Sequence, residues 1–101
     1  MRPTNSLGSG VIYILATEGK PGYQIKITDN IHSTIKNLPK NKTVCHWYYV
    51  HDVEDCLKSL HGWYSDYRIG KTKRFKLDRA QLKLLRANIK HWKATHPYIG
   101  L

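Results

Sequence analysis

A chain of 101 residues has room for one domain with one modest hydrophobic core. Lysine and arginine number 17 against 7 aspartates and glutamates, and a formal net charge of +10 on so small a body attracts polyanions. Hydrophobic residues make up 41% of the sequence and aromatic residues 11%, which is enough apolar area to exclude a disordered chain and a fold that depends on disulfides or metal ions.

The first regular elements form a predicted β-hairpin. Residues 1–9 are polar and aperiodic, so we expect a flexible leader before a single domain over 10–101. Residues 11–15 are a continuous apolar, β-branched run that is typical of a buried strand. The turn composition of 18–22 and the alternation over 23–27 predict a second, antiparallel strand.

A short helix and a third strand follow the hairpin. We expect a helix over 30–38, capped by Thr28 or Asp29, because its apolar residues recur at spacings of four and three and Pro39 lies just beyond its end. Residues 43–50 are rich in valine, tryptophan and tyrosine and predict a strand. Strict alternation would divide its side chains between two faces, with Cys45, Trp47 and Tyr49 on one and Val44, His46 and Tyr48 on the other.

The second half of the chain is more basic. Asp52 starts a predicted helix, and the basic segment 67–76 leads into a short strand at Phe75. Asp78 then caps a third helix that continues to about Lys93. We therefore predict a small α/β (α+β) domain with the order β-β-α-β-α-β-α.

The third helix carries two stripes at the same helical period. One is apolar and predicts packing against the core; its members are Leu82, Leu85, Ile89 and Trp92. The other is basic and favours either a phosphate-binding surface or a solvated face; its members are Arg79, Lys83, Arg86, Lys90 and Lys93.

Cysteine usage bears on compartment and metal binding. Cys45 and Cys56 lie in no Cys-x-x-Cys spacing, which predicts an intracellular protein of the cytoplasm or nucleus. Together with His46 and His51 they match no zinc-binding spacing, so we predict no metal site. The sequence shows no long apolar run, signal peptide or lipidation motif, and we expect no membrane association.

The hairpin also carries a family resemblance. Val11-Ile12-Tyr13 and, ten residues later, Gln24-Ile25-Lys26 resemble the paired motifs of the GIY-YIG nucleases. Further matches follow in chain order, as Thr28-x-Asn30, Leu60-His61-x-x-Tyr64, Arg68 near a glycine, and Phe75-x-Leu77. They resemble the branch of the family found in phages and large DNA viruses, and they cover residues 10–77. The resemblance implies a central three-stranded antiparallel sheet flanked by helices, here with an extra basic C-terminal helix, and a viral protein of the host cytoplasm or nucleus.

The departures from the family pattern fall on its chemistry. Tyr13 keeps the tyrosine of the first motif, but Gln24 and Lys26 replace the tyrosine and glycine of the second. The arginine that polarises the scissile phosphate falls on Thr34, and the metal-binding glutamate falls on Leu57. Hydrolysis of a phosphodiester needs a held cation and a positive group at the developing charge, so the resemblance implies a domain that does not cut.

A displaced active site is the enzymatic alternative. It would use Glu54, one helical turn before Leu57, as a Mg²⁺ or Mn²⁺ ligand and Lys26 as the missing cation, with Tyr13 and His61 retained. We favour packing roles for Tyr13 and His61, because a carboxylate shifted by a turn misses the geometry that catalysis requires.

The sequence therefore predicts a nucleic-acid-binding protein, DNA favoured, with little sequence specificity. The candidate binding residues are its clustered cations, namely Lys26, Arg68, Lys71, Lys73, Arg74, Lys76, Arg79, Lys83, Arg86, Lys90 and Lys93. Aromatic residues that are either stacking groups or core are Tyr48, Trp63, Tyr64, Tyr67 and Tyr98. The alternatives are charge kept for solubility and a basic face that docks an acidic protein; a homodimer through Ile99 and Leu101 stays open.

Overall fold

The computed structural model of the protein describes residues 8–96. Its strands are β1 (Ser9–Thr17), β2 (Tyr23–Thr28), β3 (Lys42–His51) and β4 (Arg74–Phe75). Its α-helices are α1 (Ile31–Lys36), α2 (Val53–Trp63) and α3 (Arg79–Thr95), and a short 3-10 turn at Ser65–Tyr67 precedes β4. The order along the chain is β-β-α-β-α-β-α, which confirms the predicted α+β arrangement.

All four strands form one antiparallel sheet in the order β3-β1-β2-β4. The expected sheet of three strands is therefore wrong by one strand. Tyr23 and Gln24 at the start of β2 pair with Phe75 and Arg74, so the basic segment adds a short fourth strand at the sheet edge. The sequence predicts a short strand at Phe75, but two paired residues give no periodicity that would indicate which strand it pairs with.

Alternation along β1 gives the sheet two covered faces. Ile12 and Ile14 are fully buried in the main core, which α2 and α3 complete on one face. Val11, Tyr13 and Leu15 point to the opposite face, where they pack with Ile31 of α1 and form a smaller cluster. We call the two sides the α2/α3 face and the α1 face. The central strand is thus buried on both sides, as its continuous apolar run predicts.

The turn between β1 and β2 depends on Gly22. This glycine has φ +80°, in the left-handed region, and a Cβ built on it would lie 2.6 Å from the carbonyl oxygen of Phe75. The backbone of β4 therefore approaches β2 at a position where only glycine fits.

A β-bulge in β3 changes the expected faces of that strand. Ile14 pairs with His46 but Leu15 pairs with Val44, so Cys45 is the extra residue. Val44 consequently packs in the α1 cluster, on the same face as Trp47, and its predicted place beside His46 and Tyr48 is wrong. The other predicted positions of the strand from His46 to Tyr49 keep their alternation.

The N-terminus of α1 is capped by Asn30, whose side chain accepts a hydrogen bond from Ser33 N at 3.0 Å. Thr28 and Asp29 do not cap the helix as expected; Thr28 Oγ1 instead accepts a bond from Asn30 N. The helix is shorter than predicted, and Ile35, one of the apolar residues whose spacing predicted it, is 44% exposed.

Helix α2 begins after Asp52, which lies in the left-handed region at φ 53°. Val53 N donates a hydrogen bond to the carbonyl of Gly8, and β1 starts at Ser9, paired with His51. Gly8 and Ser9 therefore belong to the ordered domain, although we expected a leader through residue 9. The rest of that leader lies outside the described residues.

Helix α3 has the capping box that its sequence indicates: Asp78 accepts from Gln81 N, and the Gln81 side chain accepts from Asp78 N. Its apolar stripe packs as predicted, with Leu85 and Ile89 fully buried, and each such burial stabilises the fold by about 1.5–3 kcal/mol. None of the helices described for this chain is both long and apolar enough to cross a bilayer. Ile99 and Leu101, the predicted dimer contacts, lie outside the described residues.

Candidate nucleic-acid interface

Helix α3 presents a basic stripe that we call the α3 ridge. Its five cations recur every three or four residues, so they share one side of the helix; they are Arg79, Lys83, Arg86, Lys90 and Lys93. All except the half-buried Arg86 are exposed, and the helix contains no aspartate or glutamate. The positive charge of the ridge is therefore not neutralised along its own helix.

Arg86 fixes where the ridge lies relative to the sheet. Its Nε donates a hydrogen bond to Tyr48 Oη at 2.8 Å, which ties α3 to β3. The pKa of the neighbouring His46 is lowered, mainly by burial and further by the charge of Arg86. At the other end of the helix, Trp92 Nε1 donates to the carbonyl of His51 at 2.8 Å. The ridge thus runs beside β3, on the α2/α3 face.

Two exposed aromatic side chains lie on the opposite face of the same strand. Trp47 is 46% exposed and Tyr49 is 51% exposed. Their register partners in β1 are Tyr13 and Val11, which places both rings on the α1 face. The His32 and Trp47 rings meet in a T-shaped arrangement with their centroids 6.5 Å apart, so α1 contacts one side of this aromatic pair.

The aromatic residues chosen from the sequence have other environments. Tyr48 accepts the Arg86 bond, and Tyr64 is buried and accepts from Asn88 Nδ2 at 2.8 Å. Trp63 and Tyr67 are exposed, on α2 and on the 3-10 turn, and Tyr98 lies outside the described residues. Sequence reasoning missed Trp47 and Tyr49, although their alternate spacing on a predicted strand was the available signal.

The basic segment around Gly70 is not part of the ridge, because it lies at β4, on the far edge of the sheet from β3. The Arg68 guanidinium lies over the Phe75 ring, 5.7 Å from its centroid, and Arg74 is half-buried. Arg74 Nε is buried and has no hydrogen-bond partner among the described residues. The exposed cations of this segment are Arg68, Lys71, Lys73 and Lys76. The structure therefore separates the predicted binding residues into two edges.

Lys26 stands apart from both groups. It pairs with Tyr13 across β1 and β2, which places it on the α1 face, and its side chain is exposed. It is therefore on the opposite face of the sheet from the α3 ridge.

The residues of the displaced active site do not share a face. Tyr13 and Lys26 lie on the α1 face, whereas Glu54 and His61 belong to α2, which packs on the other. Burial raises the pKa of Tyr13, which keeps this hydroxyl protonated near neutral pH. His61 Nε2 donates a hydrogen bond to the carbonyl of Ile25 at 3.1 Å, and its ring contacts Phe75.

The two substituted catalytic positions are also apart. Thr34 Oγ1 donates a hydrogen bond to Thr28 Oγ1 at 2.8 Å, which joins α1 to the end of β2. Leu57 packs against the main core on the α2/α3 face. The Leu57 side chain has no atom that could hold a cation, Thr34 carries no positive charge to polarise a phosphate, and the sheet separates the two.

The cysteine and histidine residues do not converge on a metal site. Cys45 is exposed at the bulge, and Cys56 is fully buried in α2, where burial raises its thiol pKa to about 12. Within residues 8–96, no group of three or more histidine, cysteine, aspartate or glutamate side chains is arranged to hold a metal ion.

Comparisons of the chain with protein-family models, with curated proteins and with solved structures gave no match. The candidate site is defined by its geometry, which is a basic ridge and an aromatic pair on the two sides of edge strand β3.

Proposed function

We propose that this protein is a degenerate GIY-YIG-like domain that binds nucleic acid, DNA in preference, through the α3 ridge and without cutting it. The observation that carries the proposal is the ridge itself: five cations on one side of one helix, four of them exposed, with no acid in the helix. Such a row suits contacts with the phosphate backbone, which supply affinity without reading sequence.

The scaffold supports the likeness to the family at the level of its elements. A hairpin, a short helix, a third strand beside β1 and a second helix follow in the order that the resemblance implies. The likeness does not extend to a working site, because Tyr13 and Leu57 lie on opposite faces of the sheet. This separation supports a protein that holds nucleic acid and leaves it intact.

The test is fluorescence anisotropy of the full chain with a labelled DNA duplex in the presence of Mg²⁺. A double variant, Lys83→Gln with Lys90→Gln, removes two exposed cations of the ridge while helix propensity changes little. We expect it to weaken duplex binding by roughly tenfold or more. The matched control, Lys20→Gln with Lys58→Gln, removes the same charge from the hairpin turn and from α2, and we expect a much smaller loss.

The same samples, run afterwards on a denaturing gel, test for cleavage. We expect DNA of unchanged length. Shortened DNA that disappears in Glu54→Ala would establish the displaced active site instead. No binding of the wild type even at low salt would contradict the proposal and favour an acidic protein as the partner of the ridge.

A further inference from the structure

Among the residues that the structure describes, no strand pairs with the outer edge of β3. With 10 residues β3 is the longest strand, and within residues 8–96 it pairs only with β1. An open edge of this length is a place where another chain can align, since its backbone donors and acceptors face outward.

The side chains of β3 give the two faces of this edge different chemical character. Trp47 and Tyr49 project on the α1 face, whereas Tyr48 projects on the α2/α3 face and accepts the bond from Arg86 of the ridge. Residues two apart on a strand are separated by about 6.8 Å, so the rings are spaced to receive two neighbouring groups. Aromatic rings exposed to this extent, side by side, are characteristic of binding surfaces.

We propose that single-stranded nucleic acid lies along the outer edge of β3, with unpaired bases stacked on Trp47 and Tyr49 on the α1 face and its phosphates reaching around this edge to the α3 ridge on the other face. This inference rests on the proposed function and names the form of nucleic acid bound. Unpaired bases expose their faces, and stacking on aromatic side chains combined with a row of cations is how single strands are held without sequence readout. A duplex keeps its bases stacked inside and offers only its phosphates, so it gains nothing from the aromatic pair.

Charge selects this occupant over a second copy of the chain. Pairing of two β3 edges would bring two ridges together on molecules of formal charge +10, and the like charges would repel. A polyanion aligned on the same edge is attracted by the charge that opposes self-association.

The test compares a labelled oligothymidylate with a labelled duplex of the same length, at one fixed salt concentration. Trp47→Val and Tyr49→Val each remove a ring but keep a residue that suits a strand. We expect each to weaken oligothymidylate binding roughly 5- to 100-fold and to change duplex binding by less than about twofold. Leu84→Ala, which removes an exposed apolar side chain from α3 outside the ridge, is the control and leaves both affinities unchanged.

Tyr49→Phe separates stacking from folding. It keeps the ring, so we expect oligothymidylate affinity within about twofold of the wild type while Tyr49→Val loses it. Thermal unfolding of each variant shows whether the fold is intact. If one substitution prevents folding, the remaining aromatic position decides the result.

Three outcomes overturn the inference in different ways. Unchanged oligothymidylate binding in folded Trp47→Val and Tyr49→Val removes the stacking surface but leaves the proposed function standing. If the wild type binds neither the oligothymidylate nor the duplex, both the inference and the proposed function are contradicted. A stable dimer in light scattering that Trp47→Val converts to monomer would assign the β3 edge to a second copy.

Discussion

Gly22 shows how one residue holds two elements in place. Its φ is positive, and a Cβ at this position would lie 2.6 Å from the Phe75 carbonyl oxygen, so there is no room for a side chain. Gly62 of α2 is the opposite case, because a Cβ there would meet no atom within 4 Å.

We predict that Gly22→Ala lowers the free energy of unfolding by about 1–3 kcal/mol, since it adds left-handed strain and a clash with β4. Gly62→Ala, the matched control, raises it by about 0.5–1 kcal/mol, because alanine favours the helix. Urea denaturation measures both. Equal effects of the two substitutions would contradict the close approach of β4.

His46 gives the protein an acid-sensitive position. Burial, followed by the charge of Arg86, holds its folded-state pKa below the ordinary 6.5. Above pH 6.5 the imidazole is neutral in both states and has no effect on stability. As the pH falls through 6.5, the unfolded chain takes up the proton first, so stability is lost until the folded-state pKa is reached.

We therefore predict that the melting temperature of the wild type falls further between about pH 7.5 and pH 5 than that of His46→Gln. His91→Gln, which removes an exposed histidine from α3, serves as the control and keeps the pH dependence of the wild type. If the melting temperature falls equally in the wild type and in His46→Gln, protonation of His46 is not opposed by the fold.

At the scale of elements, the cap of α3 is the contact that starts the ridge helix. The Asp78 side chain accepts a bond from Gln81 N at 2.7 Å. Asp78→Ala should cost about 1 kcal/mol of stability and fray the first turn, where Arg79 begins the ridge. Thermal unfolding gives the cost, and Asp78→Asn, which keeps the capping oxygen, should recover most of it. A loss of stability in Asp78→Asn as large as that in Asp78→Ala would contradict the capping role of the Asp78 side chain.

The elements were predictable from sequence wherever a pattern ran long enough. The buried run of β1 and the two stripes of α3 met this condition. The short strand at Phe75 was also predicted, whereas its pairing with β2 has no local sequence pattern, since it depends on the turn at Gly22. The bulge at Cys45 also escaped prediction, because an extra residue in a strand leaves no mark in composition and moves Val44 to the other face.

The candidate site was less predictable than the fold. The ridge follows from helical period alone, so its five cations were chosen correctly as one stripe. Which aromatic residues face solvent depends on what covers each strand face. Arg86 of helix α3 contacts Tyr48, whereas the short α1 leaves Trp47 and Tyr49 exposed. The local sequence around these aromatic residues predicts neither difference.

At the scale of the whole molecule, the charge makes binding dependent on salt. If each of the five ridge cations meets one phosphate of a duplex, log K falls against log salt with a slope of about −4.5. The double variant Lys83→Gln with Lys90→Gln should reduce the magnitude of that slope by about 2. Anisotropy titrations over a salt series measure both. A slope near zero would mean that the ridge does not contact phosphates.

The two central strands of the sheet, β1 and β2, are also neighbours along the chain. A five-residue turn joins them, so the loop that must close before they meet is short and its entropic cost is small. We expect this hairpin to form early in folding and α3 to dock late. Ile25→Val should then slow folding, whereas the same truncation at the other position, Ile89→Val, should mainly speed unfolding. The sheet would thus form from its two central strands outward, and β3 would pair with β1 only after the β1–β2 hairpin has formed.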